Sequence, residues 1–159
     1  MNKQEIMDLS LQITTDYYDN RIQPFLDSLD EKALWYGPAQ GQFLSGKGAI
    51  VAAWSAEAVH PLSFTLENIH VTAITTSSSV YEVMMSFDVT THYPDKRNVT
   101  HFQRIHLTWS IHRITNADGY IKRVPKILMC VVTNPHHKHK EDNIYPIHYF
   151  RGYSQSVRL

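Results

Sequence analysis

The run from Val80 to Thr133, VYEVMMSFDVTTHYPDKRNVTHFQRIHLTWSIHRITNADGYIKRVPKILMCVVT, decides the fold. Three stretches rich in β-branched and aromatic residues, Val80 to Tyr93, Val99 to Ile114 and Ile121 to Thr133, are separated by Pro94-Asp95-Lys96-Arg97 and by Asn116-Ala117-Asp118-Gly119. Strand-forming side chains bounded by turn residues mark antiparallel hairpins, and the Asp-Gly pair is a strong hairpin signal. A further strand, Ser63 to Thr75, precedes them across Ser77-Ser78-Ser79. The pattern predicts a four-strand antiparallel meander.

Upstream the hydrophobic period changes. Ile6, Leu9, Ile13 and Tyr17 recur at the spacing of a helix with one buried face, predicted from Lys3 to Asn20. Gln23 to Asp30 reads as a short helix with Pro24 in its first turn. Ala33 to Tyr36 and Gln42 to Leu44 read as short strands, and Lys47 to Ala58 as a third helix opened by Ser45-Gly46. Helices followed by a meander make an α+β domain.

The 159 residues suffice for one domain with a core of its own. Fifteen Lys and Arg balance fifteen Asp and Glu. No broad electrostatic footprint for nucleic acid or a membrane surface is therefore expected. One cysteine, Cys130, excludes an intramolecular disulfide and fits a reducing compartment, so a cytoplasmic location is expected. It reads as a small buried hydrophobe. Met1 to Glu5 lacks the apolar region of a signal peptide. No stretch approaches the roughly 20 apolar residues of a membrane helix. Gly46-Lys47-Gly48 lacks the spacing of a phosphate-binding loop, and no cofactor is expected. The run His136-His137-Lys138-His139 offers imidazoles, but its lysine neighbours repel a cation, so an exposed loop is expected rather than a metal site. The composition divides the chain into a domain, residues 1–134, and a tail, residues 135–159.

The succession Phe25-Leu26-Asp27-Ser28-Leu29-Asp30 and Ala33-Leu34-Trp35-Tyr36-Gly37-Pro38, followed by Phe43-Leu44-Ser45-Gly46-Lys47-Gly48-Ala49-Ile50, resembles the SnoaL-like members of the nuclear transport factor 2-like superfamily. The resemblance covers about residues 3–133 and rests on order and spacing. It implies a cone-shaped, cystatin-like fold with N-terminal helices on a curved antiparallel sheet. It also implies a pocket between helices and sheet, a small hydrophobic ligand, and a homodimer. Val89-Thr90-Thr91-His92-Tyr93-Pro94-Asp95, His101 to Trp109 and Ile144 to Tyr149 look like a bacterial group in which such a domain precedes a LytTR-type DNA-binding domain. That likeness implies a sensory module, either truncated and regulating transcription through a DNA-binding domain absent from this chain, or acting alone. Ketosteroid isomerases of the superfamily carry a carboxylate base just before the proline after the first strand. Gly37 stands there in this chain, ahead of Pro38, and cannot take a proton.

Registers taken from the turns pair Tyr93 with Asn98 and Ile114 with Tyr120. One sheet face then carries Met84, Asp88, His101, Gln103, Ile105, Leu107, Trp109, Ile127, Met129 and Val131. An apolar wall with a few polar groups is what a small-molecule pocket needs. Tyr17, Trp35, Trp54, Gln103, Trp109 and Met129 are the expected ligand-binding residues, with a plain core as the alternative for the aromatics. Asp88 and His101 form the candidate catalytic pair of an isomerase, dehydratase or cyclase, the carboxylate orienting the imidazole. The opposite face, with Val83, Met85, Phe87, Val89, Phe102, Arg104, His106 and Thr108, is the expected dimer surface.

Overall fold

A capping box starts the first helix. The Asn2 side chain accepts from the Glu5 N–H at 2.9 Å, and the Glu5 carboxylate accepts from the Asn2 N–H at 2.7 Å, closing two donors that a helix start leaves open. The computed structural model describes residues 1–39, 41–57 and 62–134. Its elements are α1 (Lys3–Tyr18), α2 (Gln23–Asp27), β1 (Leu29–Tyr36), β2 (Phe43–Ser45), α3 (Lys47–Glu57), β3 (Ser63–Ser77), β4 (Val80–His92), β5 (Asn98–Thr115) and β6 (Ile121–Thr133). The tail, with its histidine run, lies outside the described residues. Among the described residues no helix is long and apolar enough to cross a membrane.

The six strands form one sheet in the order β2-β1-β6-β5-β4-β3. All neighbours are antiparallel except β1 and β6, which run parallel. The expected four-strand meander is therefore extended by two strands. Leu29 and Asp30, expected to close the second helix, instead begin β1. The Ile127 N–H donates to the Ser28 carbonyl at 2.7 Å and draws the chain onto β6 at that point.

Strand β4 alternates strictly. Tyr81, Val83, Met85, Phe87, Val89 and Thr91 are buried, and the residues between them face the other way. On β5, Gln103, Ile105, Leu107 and Trp109 continue the buried face. Helix α1 lies against it through Ile6, Ser10, Ile13, Thr14 and Tyr18. The fully buried indole of Trp109 donates from Nε1 to Ser10 Oγ at 2.9 Å, and that hydroxyl donates to the Ile6 carbonyl at 2.7 Å.

Both expected registers are corrected. Tyr93 bonds to Arg97, not Asn98, because Lys96 takes a left-handed conformation, φ 65°, and uses one residue of the turn. Val89 therefore faces His101 and Phe87 faces Gln103, one residue off the expected pairs. A slip of one inverts the faces of β4. Val83, Met85, Phe87 and Val89 leave the expected dimer surface for the core, while Met84 and Asp88 move outward. At the next hairpin the Asn116 N–H donates to the Tyr120 carbonyl, with Gly119 at φ 84°, so Ile114 pairs with Lys122 rather than Tyr120. Further along, Trp109 pairs with Ile127 but Thr108 pairs with Met129, leaving Leu128 as an extra residue. This bulge switches the faces of β6, so Ile127 and Cys130 are buried while Met129 joins the outer row.

The Ser10–Trp109 contact is testable by Ser10→Ala. An unpaired buried donor costs about 1–3 kcal/mol, and the urea midpoint should fall accordingly, whereas Ser55→Ala, at an exposed position of α3, should leave it nearly unchanged.

Candidate functional site

Where α1, α2 and α3 stand off the sheet, they leave a cavity of about 420 Å³. Its walls are largely aromatic. The Trp35 and Trp54 rings meet edge to face with centroids 4.8 Å apart, Phe25 lies 6.2 Å from Trp54, and Tyr17 lies 6.1 Å from Phe25. The floor is Gln103, Ile105, Leu107, Cys130 and Val132 of the sheet. The mouth carries Pro38, Gln42 and Phe43 from the β1–β2 connection. Alternation along β1 puts Trp35 in the cavity and leaves Tyr36 on the far side, against Phe43 at 4.7 Å.

The polar groups are few and neutral. Tyr17 Oη accepts from Trp54 Nε1 at 3.3 Å. Thr14 Oγ1 donates to the Ser10 carbonyl at 2.8 Å. Gln103 shares a hydrogen bond of 3.3 Å between its Oε1 and His101 Nε2, a second-row imidazole just outside the lining. Gln42 Oε1 accepts from the Ala39 N–H at 3.0 Å. Among the described residues no Asp, Glu, Lys, Arg or His lines the cavity. Two of the acidic protons that line it, on Tyr18 and Cys130, are held. Burial raises the Tyr18 phenol above its ordinary value and pushes the Cys130 thiol from 9.0 up to about 12.

Of the residues expected from the sequence, Tyr17, Trp35, Trp54 and Gln103 line one cavity together. Trp109 and Met129 do not. Trp109 is committed to Ser10 in the core, and Met129 lies beyond the Leu128 bulge. Asp88 and His101 are not brought together. Asp88 sits on the outer face and accepts from Asn68 Nδ2 at 2.9 Å, while His101 belongs to the inner row and turns to Gln103. Gly37 also finds its reason here. A Cβ at this position would stand 2.4 Å from the Trp35 ring and 2.4 Å from Gln42 Oε1. The space a carboxylate would need is already filled by Trp35 and Gln42. Gln42 and Val132 are lining residues the sequence reading missed. Only Val132 carried a usable signal, its place two residues from Cys130, and the unseen bulge hid its side. Among the described residues no cluster of His, Cys, Asp and Glu could hold a metal ion.

No protein-family model matches the sequence, and no curated protein does. Solved structures match the fold. A nuclear transport factor 2-like protein of unknown function from Pseudomonas putida KT2440 is 14% identical, with a TM-score of 0.57 over 86% of this chain and 89% of that one. An uncharacterised protein with a cystatin-like fold from Caulobacter vibrioides is 15% identical, with a TM-score of 0.55 over 94% and 93%. A protein from Catenulispora acidiphila in complex with S-DNPA is 12% identical, with a TM-score of 0.57 over 82% and 91%. The chain has the nuclear transport factor 2-like, cystatin-like fold, an α+β arrangement of N-terminal helices on a curved, unclosed sheet.

The thiol at the cavity floor gives a pH dependence. The unfolded chain releases the Cys130 proton near pH 9.0, and the folded chain holds it to about 12. The stability tied to the neutral thiol is therefore whole below pH 9.0 and lost as pH rises toward 12. Urea midpoints measured across that window should fall steeply in the parent chain and less steeply in Cys130→Val.

Proposed function

We propose that this chain is a small-molecule-binding domain whose ligand is flat, largely apolar and uncharged, with one hydrogen-bonding edge. The observation that carries this reading is the aromatic cavity with neutral polar groups and no charged lining side chain among the described residues. Its volume lies within the range of small-molecule sites, about 300–1,000 Å³. A charged ligand entering it would lose its hydration without gaining a counter-ion, a cost of several kcal/mol. An apolar ring would gain about 25 cal/mol for each Å² removed from water. Gln103 and Tyr17 are the proposed anchors for the polar edge. The Catenulispora acidiphila protein in complex with S-DNPA lends the reading support from the same fold.

The alternative, an isomerase, dehydratase or cyclase, needs an acid–base group at the cavity. Asp88 and His101 face opposite sides of the sheet, and Gly37 leaves no room for a carboxylate. The binding reading is therefore preferred. A sensory role, with ligand state passed to a LytTR-type DNA-binding domain, rests on the sequence resemblance alone. Ligand-dependent DNA occupancy by a fusion of the two would support it, and ligand-independent occupancy would remove it.

A homodimer is proposed through the corrected outer face, where Phe102, Arg104, His106 and Thr108 lie beside Met84, a side chain left 42% exposed. Sedimentation velocity should show a dimer that Met84→Glu weakens. A monomer at all concentrations would contradict it.

The ligand class is testable with a matched pair. The neutral bicyclic phenol 2-naphthol should quench Trp35 and Trp54 fluorescence saturably, and the anion 2-naphthoate should do so at least tenfold more weakly. Gln103→Leu should weaken 2-naphthol by about 1 kcal/mol, the net worth of a hydrogen bond. Equal affinity for both compounds would sink the uncharged-ligand reading.

A further inference from the structure

The pairing of β5 with β4 ends at Ser110, and that of β6 with β1 begins at Ile127. From Ile111↔Pro125 to Thr115↔Ile121 the two strands pair only with each other. At about 3.4 Å per residue this ribbon projects roughly 17 Å beyond the sheet. Its base is fixed. The Ile111 N–H donates to the Ser79 carbonyl at 2.7 Å, Lys126 Nζ donates to the Asp27 carbonyl at 2.8 Å, and His112 Nε2 lies 2.9 Å from Asp30 Oδ2.

The ribbon is far from neutral in a chain that is neutral overall. Residues 111–126 hold four of the fifteen Lys and Arg and one of the fifteen acids. Arg113 and Arg123 stand directly opposite each other across the ladder, both exposed. Like charges so placed repel, and among the described residues no carboxylate pairs with either of them or with Lys122. Large apolar side chains are exposed on the same ribbon: Ile121 at 64% on the arginine face, Ile114 at 48% on the opposite face and Tyr120 at 73% next to the turn. Neither feature stabilises this chain by itself. Both are relieved by a partner that brings carboxylates to the arginine pair and apolar surface to Ile121 and Tyr120.

We propose that the β5–β6 ribbon is a docking surface for an acidic, extended polypeptide segment of a partner protein, held on one face by Arg113, Arg123 and Ile121, with Tyr120 at its tip. Carboxylates between two arginines make charge-assisted hydrogen bonds, and Arg and Tyr are the residue types that dominate binding energy at protein interfaces. The β5 edge from His112 to Thr115 is open to strand addition, whereas Pro125 removes a donor on the β6 side. A nucleic acid is disfavoured because three cations neutralise few phosphates, the rest of the chain is net acidic, and the exposed isoleucines would find no partner. A membrane surface is disfavoured because the polar turn Asn116-Ala117-Asp118-Gly119 leads the ribbon.

The test is fluorescence anisotropy of the full chain with a labelled random copolymer of glutamate and tyrosine. A labelled DNA duplex and vesicles of phosphatidylserine in phosphatidylcholine are titrated in parallel. The decisive variant is Arg123→Glu. It places an opposite charge across from Arg113, so its thermal midpoint should equal or exceed that of the parent. The copolymer should bind saturably to the parent, at least tenfold more weakly to Arg123→Glu, and at least threefold more weakly to Ile121→Ser. No saturable binding of the copolymer, or binding that Arg123→Glu leaves unchanged, would overturn the proposal. Duplex or vesicle binding that is stronger than copolymer binding and lost in Arg123→Glu would also overturn it and assign the ribbon to that partner instead.

Discussion

A buried hydrogen bond between the two largest layers anchors the helix to the sheet. Trp109 on β5 reaches Ser10 on α1 within the buried face of the sheet, and the Ser10 hydroxyl in turn donates a hydrogen bond to the Ile6 carbonyl. Both polar atoms are satisfied, so the largest fully buried side chain carries no desolvation penalty from its indole N–H. A serine at this point also keeps the helix close to the sheet. With α1 fixed there, its C-terminal half, from Ile13 to Tyr18, stands over the inner face beside α2 and α3 and encloses the cavity.

Much of this architecture was legible in the sequence. Helical spacing in α1, turn residues between the long strands and the Asp-Gly pair gave the order of elements and the α+β class. Register was not legible, and its errors have local causes. Lys96 adopts a left-handed conformation without being glycine, so the turn after β4 gave no warning that it would take an extra residue. Leu128 is an ordinary strand residue, and nothing in its neighbourhood marks a bulge. These two features sent Met84 and Asp88 outward, brought Val83, Met85, Phe87 and Val89 inward and removed Met129 from the cavity wall. Trp35 and Trp54 escaped such errors. Trp54 lies on a helix, and Trp35 on a short strand where Gly37, lacking a Cβ, leaves room for its ring.

The distribution of charge gives the molecule two distinct surfaces. The cavity gathers aromatic and amide groups and admits no charged side chain among the described residues. Protons on Tyr18 and Cys130 are retained by burial, which keeps that wall neutral through physiological pH. The ribbon at one end of β5 does the reverse and sets two arginines side by side. Overall neutrality thus conceals a polar division between a neutral interior site and a basic projection. The charge total alone pointed away from any electrostatic surface.

The most direct test of the account is a nitrogen–proton spectrum of the three tryptophan indoles during titration with 2-naphthol. The chain holds Trp35, Trp54 and Trp109 and no other tryptophan. The account predicts saturable shifts of the Trp35 and Trp54 resonances while Trp109, held by Ser10 in the core, stays in place. Uniform movement of all three, or movement of none, would contradict a ligand site between the helices and the sheet.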